Sequence, residues 1–195
     1  MITELHYSST NTYVIHGTQG NLLWDTGWAG TFPLLCRALG EQHLKLQDIA
    51  YLLISHYHPD HMGIAQEIAE AGVVIAAVEE QRGFLHASDA VFAKEKRTRF
   101  HPIRDEAVRF LRLTESRSFL QELGISGALL HTPGHSEDSI SLWLDEERTL
   151  FVGDLNPLYE LELHRGTQIA QSRERLLALK PRRIYYGHAR TTFLG

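Results

Sequence analysis

The chain has 195 residues, 43% of them hydrophobic and 22% charged, with a formal net charge of −5. That suffices for one domain with a sizeable core, and the acidic balance argues against a nucleic-acid partner, which usually needs a basic face. Cys36 is the one cysteine, so no disulfide framework points to secretion, and no apolar run approaches the ~18 residues of a membrane span.

Met1–His6 lacks the basic and apolar regions of a leader, so a cytoplasmic location is expected. The expected partner is a small-molecule substrate, with no nucleic acid and no membrane. Arg173, Arg175, Lys180, Arg182 and Arg183 read as a solvated helix end.

In chain order, Asn11–His16 and Asn21–Asp25 read as strands joined by the Gly17–Gly20 turn. Thr31–Gly40 predicts a helix, with Pro33 in its first turn and Gly40 past its end. Ile49–Ser55 is an apolar run of strand length, as for a strand covered on both faces. It leads straight into His56-Tyr57-His58-Pro59-Asp60-His61. Ile64–Ala71 reads as a helix and Val73–Val78 as another buried strand, which puts the histidine cluster at the carboxyl end of a strand in a βαβ-like unit.

Residues 80–125 are polar and rich in Arg and Lys, with helical patterns at Glu106–Leu113 and Ser116–Leu123. They read as a helical excursion beside the sheet, a pocket wall or a cover for a sheet edge. Its Phe84, Phe92, Phe100, Phe110 and Phe119 either line that pocket or pack as core. No Gly-, Pro- or Ser-rich linker sets it apart, so 1–195 is expected to form one domain. Strands return at Ala128–Thr132, Ser139–Leu144 and Thr149–Val152, then a helix at Ile169–Leu179 and a strand at Arg183–Tyr186. Sheet and helix in both halves favour an α/β (α+β) sandwich, two sheets between helices.

The compositional anomaly is histidine, at 12 copies, since neutral imidazole is the commonest metal ligand. Four places just past predicted strands supply ligand-type side chains: His56, His58, Asp60 and His61; His135 after Pro133-Gly134; Asp154 after Gly153; and His188 after Gly187. If these strands share one sheet edge, the seven converge. In an extended segment residues i and i+2 point the same way, so His56 and His58 can grip one ion. The turn into a helix carries Asp60 and His61 to a second position. Two ions about 3.5–4 Å apart need a bridging ligand, and the two oxygens of Asp154 suit that place. The mixed imidazole and carboxylate set suits Zn²⁺, and would accept Fe, Mn or Co. His6, His16, His43 and His86 have no such neighbours, His131 reads as a strand residue that packs or supports a ligand, and His101 and His164 read as loop residues rather than ligands. Tyr159 reads either as a hydrogen-bond donor to a substrate oxyanion or as a partly buried loop residue, and Trp28 and Tyr57 either wall the site or pack.

The series HxHxDH, a His after Pro-Gly, Gly-Asp and Gly-His, with Asp25-Thr26-Gly27 after an N-terminal hairpin, resembles the metallo-β-lactamase superfamily over roughly positions 11–190. The resemblance implies an αββα sandwich of two mixed sheets, glyoxalase II-like or lactonase-like. It implies two divalent metal ions, Zn first and Fe or Mn otherwise. His56, His58 and His135 would hold the first, Asp60, His61 and His188 the second, with Asp154 between them and Asp25 buried nearby. The implied reaction is hydrolysis of an ester-like bond (thioester, lactone, β-lactam or phosphoester) by a hydroxide held between the ions, with Asp60 orienting it. Ser55 stands where the family commonly has Thr, and a glutathione-binding domain of the glyoxalase II kind is not expected. The rival implied activity is that of a persulfide dioxygenase, with one iron on His56, His135 and Asp154. A non-catalytic metal-binding module is the third reading.

Overall fold

The computed structural model describes residues 1–157 and 166–195. Six strands form the first sheet in chain order: β1 (Ile2–Leu5), β2 (Thr12–His16), β3 (Asn21–Trp24), β4 (Ile49–Leu53), β5 (Val74–Val78) and β6 (Val108–Leu111). β1 to β3 are antiparallel and β3 to β6 parallel. The second sheet runs β11 (Thr192–Phe193), β10 (Arg183–Tyr185), β9 (Thr149–Phe151), β8 (Ile140–Leu144), β7 (Gly127–His131). It is antiparallel except where β9 and β10 run parallel. The helices are α1 (Phe32–Glu41), α2 (Pro59–Met62), α3 (Ala65–Glu70), α4 (Asp89–Phe92), α5 (Ser116–Glu122) and α6 (Gln168–Leu177).

Strand periodicity builds the layers, because successive side chains point to opposite faces. Leu22 and Trp24 of β3 face the second sheet, where Ile140, Leu142 and Phe151 meet them, while Leu23 turns outward to Leu35 and Leu39 of α1 and Ile68 of α3. In the second sheet Leu150 and Ile184 turn outward onto Leu176 of α6. The result is two mixed sheets between helical layers. Among the described residues no helix is long and apolar enough to cross a membrane.

Phe151 is fully buried at the centre of the inter-sheet core. It stacks on Tyr185 with ring centroids 4.9 Å apart and meets Tyr13 edge-on at 5.1 Å. Phe151→Ala is expected to lower stability by about 3–5 kcal/mol, the range for emptying such a site. Urea unfolding would show a lower midpoint at an unchanged slope; a midpoint within error of the parent would mean the core relaxes around the void.

Four elements differ from the sequence reading. Helix α1 does not stop at Gly40 but runs to Glu41. Its end is closed by left-handed His43 (φ 58°), with His43 N–H on the Gly40 carbonyl and Leu44 N–H on that of Leu39, a Schellman arrangement. Within the excursion at 80–125, the stretch Glu106–Leu113 is not helical: Val108–Leu111 is the edge strand β6, parallel to β5 with Ile75 opposite Val108. Pairing and burial of Leu111 outweigh the helical charge spacing, since strand preference is largely set by neighbours. Strands β1 and β11 were not foreseen. Ser116–Glu122 is helical as read.

Candidate metal centre

Every strand end that the site needs lies on one edge. Asp25 follows β3, His56–His61 follow β4, Asp154 follows β9 and His188 follows β10, all at carboxyl ends; His135 follows β7. Pro59 opens α2 directly behind an extended His58 (ψ 153°), which swings Asp60 and His61 back toward His56. The two sheets are stitched together here: Ile140 N–H bonds the Ser55 carbonyl at 2.8 Å, and Asn11 N–H the Gly187 carbonyl at 2.7 Å.

All seven predicted ligand-type residues come together. Donor atoms of His56, His58 and His135 lie within 4.8 Å of one another, as do those of Asp60, His61 and His188, and those of His56, His61 and Asp154. Asp154 therefore stands between the other two groups. Its Oδ1 is 3.2 Å from His61 Nε2, and its Oδ2 is 3.5 Å from both His135 Nε2 and His188 Nε2. Gly153 holds this turn at φ 54°, and a Cβ there would stand 2.5 Å from Ser55 Oγ.

The imidazoles are aimed from behind. Ser55 Oγ lies 3.0 Å from His56 Nδ1, Asp25 Oδ2 lies 3.1 Å from His61 Nδ1, and His188 Nδ1 donates to the Ser9 carbonyl at 3.0 Å. In each ring Nδ1 faces a protein oxygen and Nε2 is turned inward, the arrangement that fixes the ring of a metal-ligating histidine. Left-handed Asp25 (φ 61°) also accepts Ser55 N–H at 2.6 Å, and Thr26 donates through both N–H and Oγ1 to the His61 carbonyl. Asp25 thus touches the histidine's back, not the cluster's centre.

The residues present fit a cation. His56 Nε2, His61 Nε2 and Asp154 Oδ1 are buried and make no hydrogen bond, the 3.2 Å approach of His61 to Asp154 falling outside hydrogen-bond angles. Buried polar atoms without partners are costly unless a ligand satisfies them. The electrostatics agree. Burial and the neighbouring His61 push His56 well below its ordinary pKa. Burial would lower His61 too, but Asp25 and Asp154 overcome it and raise it to about 10. Asp154 and Asp60 raise His188 to about 10. Against burial, His188 and His61 hold Asp154 far below the ordinary carboxylate range. The carboxylates favour positive charge at the centre, whether a proton or a metal ion carries it.

Two supporting features escaped the sequence reading. Asp138, buried at 1% exposure, accepts Tyr57 N–H on Oδ2 at 2.7 Å and the Ser136 hydroxyl on Oδ1. It ties the His56–His58 segment of one sheet to the His135 loop of the other; its only sequence signal is an acid placed just before a buried strand. Asp138→Ala is expected to weaken metal binding about 10–100-fold, with Asp138→Asn recovering most of it. A metal titration checks this, and full affinity in the alanine variant would refute it.

The second feature concerns the excursion. Its phenylalanines do not wall the cleft at the histidine cluster. Phe92 is buried against Trp28 and stacks on Phe100 at 4.1 Å, Phe119 lies between the sheets, and Phe84 and Phe110 pack on the outer core. The segment instead braces the ligand loop, with buried Gln81 donating to the Ile54 carbonyl at 2.9 Å and Ser88 to the Tyr57 carbonyl at 2.6 Å.

Of the other histidines, His131 bonds the Glu137 carbonyl and His101 faces Glu70, both away from the cluster. Trp28 packs on Phe92 and Tyr57 is buried in the outer core. Tyr159 and His164 lie outside the described residues. A cleft of about 320 Å³ opens at the cluster, between His135, Asp154, Leu155, Asn156, Pro157 and His188.

The family model of the metallo-beta-lactamase superfamily matches residues 7–188. The chain belongs to the metallo-beta-lactamase superfamily. Members of this superfamily bind metal ions and include hydrolases, and the His/Asp groups here could hold such ions. Among curated relatives it is 28% identical over 188 residues to the Beta-lactamase-like protein 2 homolog of Caenorhabditis elegans, covering 92% of this chain and 55% of that protein. It is 28% identical over 150 residues to the Atrochrysone carboxyl ACP thioesterase of Aspergillus fumigatus, covering 74% of this chain and 29% of the other. The chain spans about half the length, or less, of these relatives. A crystal structure of a protein in a di-iron-bound form superposes with a TM-score of 0.72 at 24% identity, covering 99% of this chain and 94% of the other, which shows the shared fold.

Proposed function

We propose that this metallo-beta-lactamase superfamily chain is a dinuclear metal-dependent hydrolase acting on an ester-like bond, with a thioester the favoured substrate. The observation that carries the proposal is the set of inward-facing Nε2 atoms of His56, His61 and His188 around Asp154, each ring held from behind by a protein oxygen. His56, His58 and His135 would hold one ion and Asp60, His61 and His188 the other, with Asp154 shared. Zn²⁺ suits this donor set, and the di-iron-bound neighbour makes iron the second choice. The thioester preference rests on relatives named as ACP thioesterases.

Bound divalent ions would supply Lewis acidity and a water acidified to a pKa near about 7. The chain's own groups do the positioning. Asp60 is partly exposed, 3.0 Å from His188 Nε2. Although burial alone would raise it, His188 and His61 hold its carboxyl below the usual value, so it is ionised and a weak proton acceptor. Its role is to hold and orient an attacking water rather than to keep that water's proton. In thioester hydrolysis the water oxygen forms the new C–O bond, the C–S bond breaks, and sulfur leaves as the thiol while the proton passes to solvent.

The test is elemental analysis of untagged protein followed by a panel of thioester, ester, lactone, β-lactam and phosphodiester substrates. About two ions per chain and metal-dependent hydrolysis are expected. One tightly held iron with an empty second position, under metal-replete conditions and with persulfide oxidation, would sink the proposal.

A further inference from the structure

The chain pairs most of the arginines of its middle segment: Arg82 with Glu79, Arg104 with Glu70, Arg109 with Glu122, Arg112 with Glu115 and Arg117 with Asp145. Residues 93–99 break that habit. Lys94, Lys96, Arg97 and Arg99 are all exposed, and none has an ion pair among the described residues. The one acid of this stretch, Glu95, is turned onto the Arg97 backbone N–H at 2.8 Å. Four cations in six residues, with Glu95 the single acid among them, repel one another, on a chain whose net charge is −5.

The loop is also fixed in place. The Phe92–Phe100 stack closes it at both ends, Phe92 sits 5.1 Å from Trp28, and Arg104 N–H downstream is tied to Gln66 at 2.9 Å. A Cβ added at Gly30 would stand 3.5 Å from Thr98 Cγ2, so the loop lies over the turn that follows β3. That turn begins at Asp25 and Thr26, which clamp His61. The loop that carries the cations thus stands on the carboxyl edge of the first sheet, against the turn that follows β3.

We infer that the 93–99 loop is a docking surface for an acidic carrier protein that presents its acyl group as a thioester. This rests on the thioester reading above and adds the partner. A thioester on an extended pantetheine-type arm can enter the cleft while the carrier stays on the surface, which accounts for a charged patch beside the reacting centre rather than in it. The four cations are all exposed, so they match an extended acidic surface better than an enclosed site for a small phosphate. A long nucleic acid is disfavoured by the chain's net charge of −5.

The test uses the full chain and its Lys94→Gln, Lys96→Gln, Arg97→Gln, Arg99→Gln quadruple variant. The probes are a fluorescently labelled, acylated acyl carrier protein, an acyl coenzyme A, an S-acyl N-acetylcysteamine and a single-stranded RNA oligonucleotide. The parent is expected to bind the carrier with an affinity that falls as salt rises, and the variant to bind about tenfold or more weakly. Turnover of the small, uncharged thioester should be the same in both. Equal carrier binding by both proteins, or tighter binding of acyl coenzyme A or RNA than of the carrier, would overturn the inference. Salt-sensitive carrier binding through the loop without hydrolysis of any thioester would uphold the docking surface while sinking the thioesterase reading. Hydrolysis of the small thioester by a protein that ignores the carrier would do the reverse.

Discussion

Asp154→Ala is expected to lower both metal content and kcat/KM by well over the about 10–100-fold that loss of an outer supporting partner costs. The carboxylate of Asp154 approaches four histidines: His61 at 3.2 Å, His135 and His188 at 3.5 Å, and His56 at 3.8 Å. Those four belong to both outer groups of donor atoms, so one substitution damages both positions. Asp25→Ala should rank below it for metal and above it for fold. Asp25 reaches the cluster only through His61 Nδ1, but it also holds the buried Ser55 N–H, which would be left without a partner at a cost of about 1–3 kcal/mol. Elemental analysis, steady-state kinetics and chemical denaturation on the two variants separate these roles. Equal loss of activity at equal metal content would refute the ranking.

Why the ligand-type residues could be read from sequence, and their supports could not, follows from what each depends on. His56, His135, Asp154 and His188 each follow a short run of apolar or β-branched residues, and such runs announce strands because burial and pleating are local demands. The chemistry is written at strand ends, so finding the strand finds the site. Asp138, Gln81 and Ser88 act through backbone atoms of a segment 81, 27 and 31 residues away in sequence, and no local pattern encodes such a contact. Strand β6 was hidden for the same reason: Val108–Leu111 is a strand because β5 lies beside it. The phenylalanines of the excursion were ambiguous between pocket and core, since an apolar ring suits either. Only the Phe92–Phe100 stack and the neighbouring Trp28 decide for the core.

The second large effect is expected at a residue with no side chain. A Cβ at Gly187 would stand 2.4 Å from Asp154 Oδ1 and 2.7 Å from His61 Cε1. Backbone retreat is blocked on both sides, because Gly187 N–H bonds the Gly153 carbonyl and the Gly187 carbonyl accepts Asn11 N–H, each at 2.7 Å. Relief must therefore come from the carboxylate and the imidazole, which have to move by about 1 Å, and a displacement of that size at a reacting centre costs on the order of 10²-fold. Gly187 is not among the positive-φ residues, so the added methyl brings no backbone strain of its own, and the fold should survive. Gly187→Ala should thus keep a near-parental unfolding midpoint while losing metal affinity and about 10²-fold or more in kcat/KM. Gly40→Ala, where a Cβ meets nothing within 4 Å on α1, is the matched control and should leave activity unchanged. Parental activity and metal content in Gly187→Ala would mean that Asp154 and His61 are not at the reacting centre.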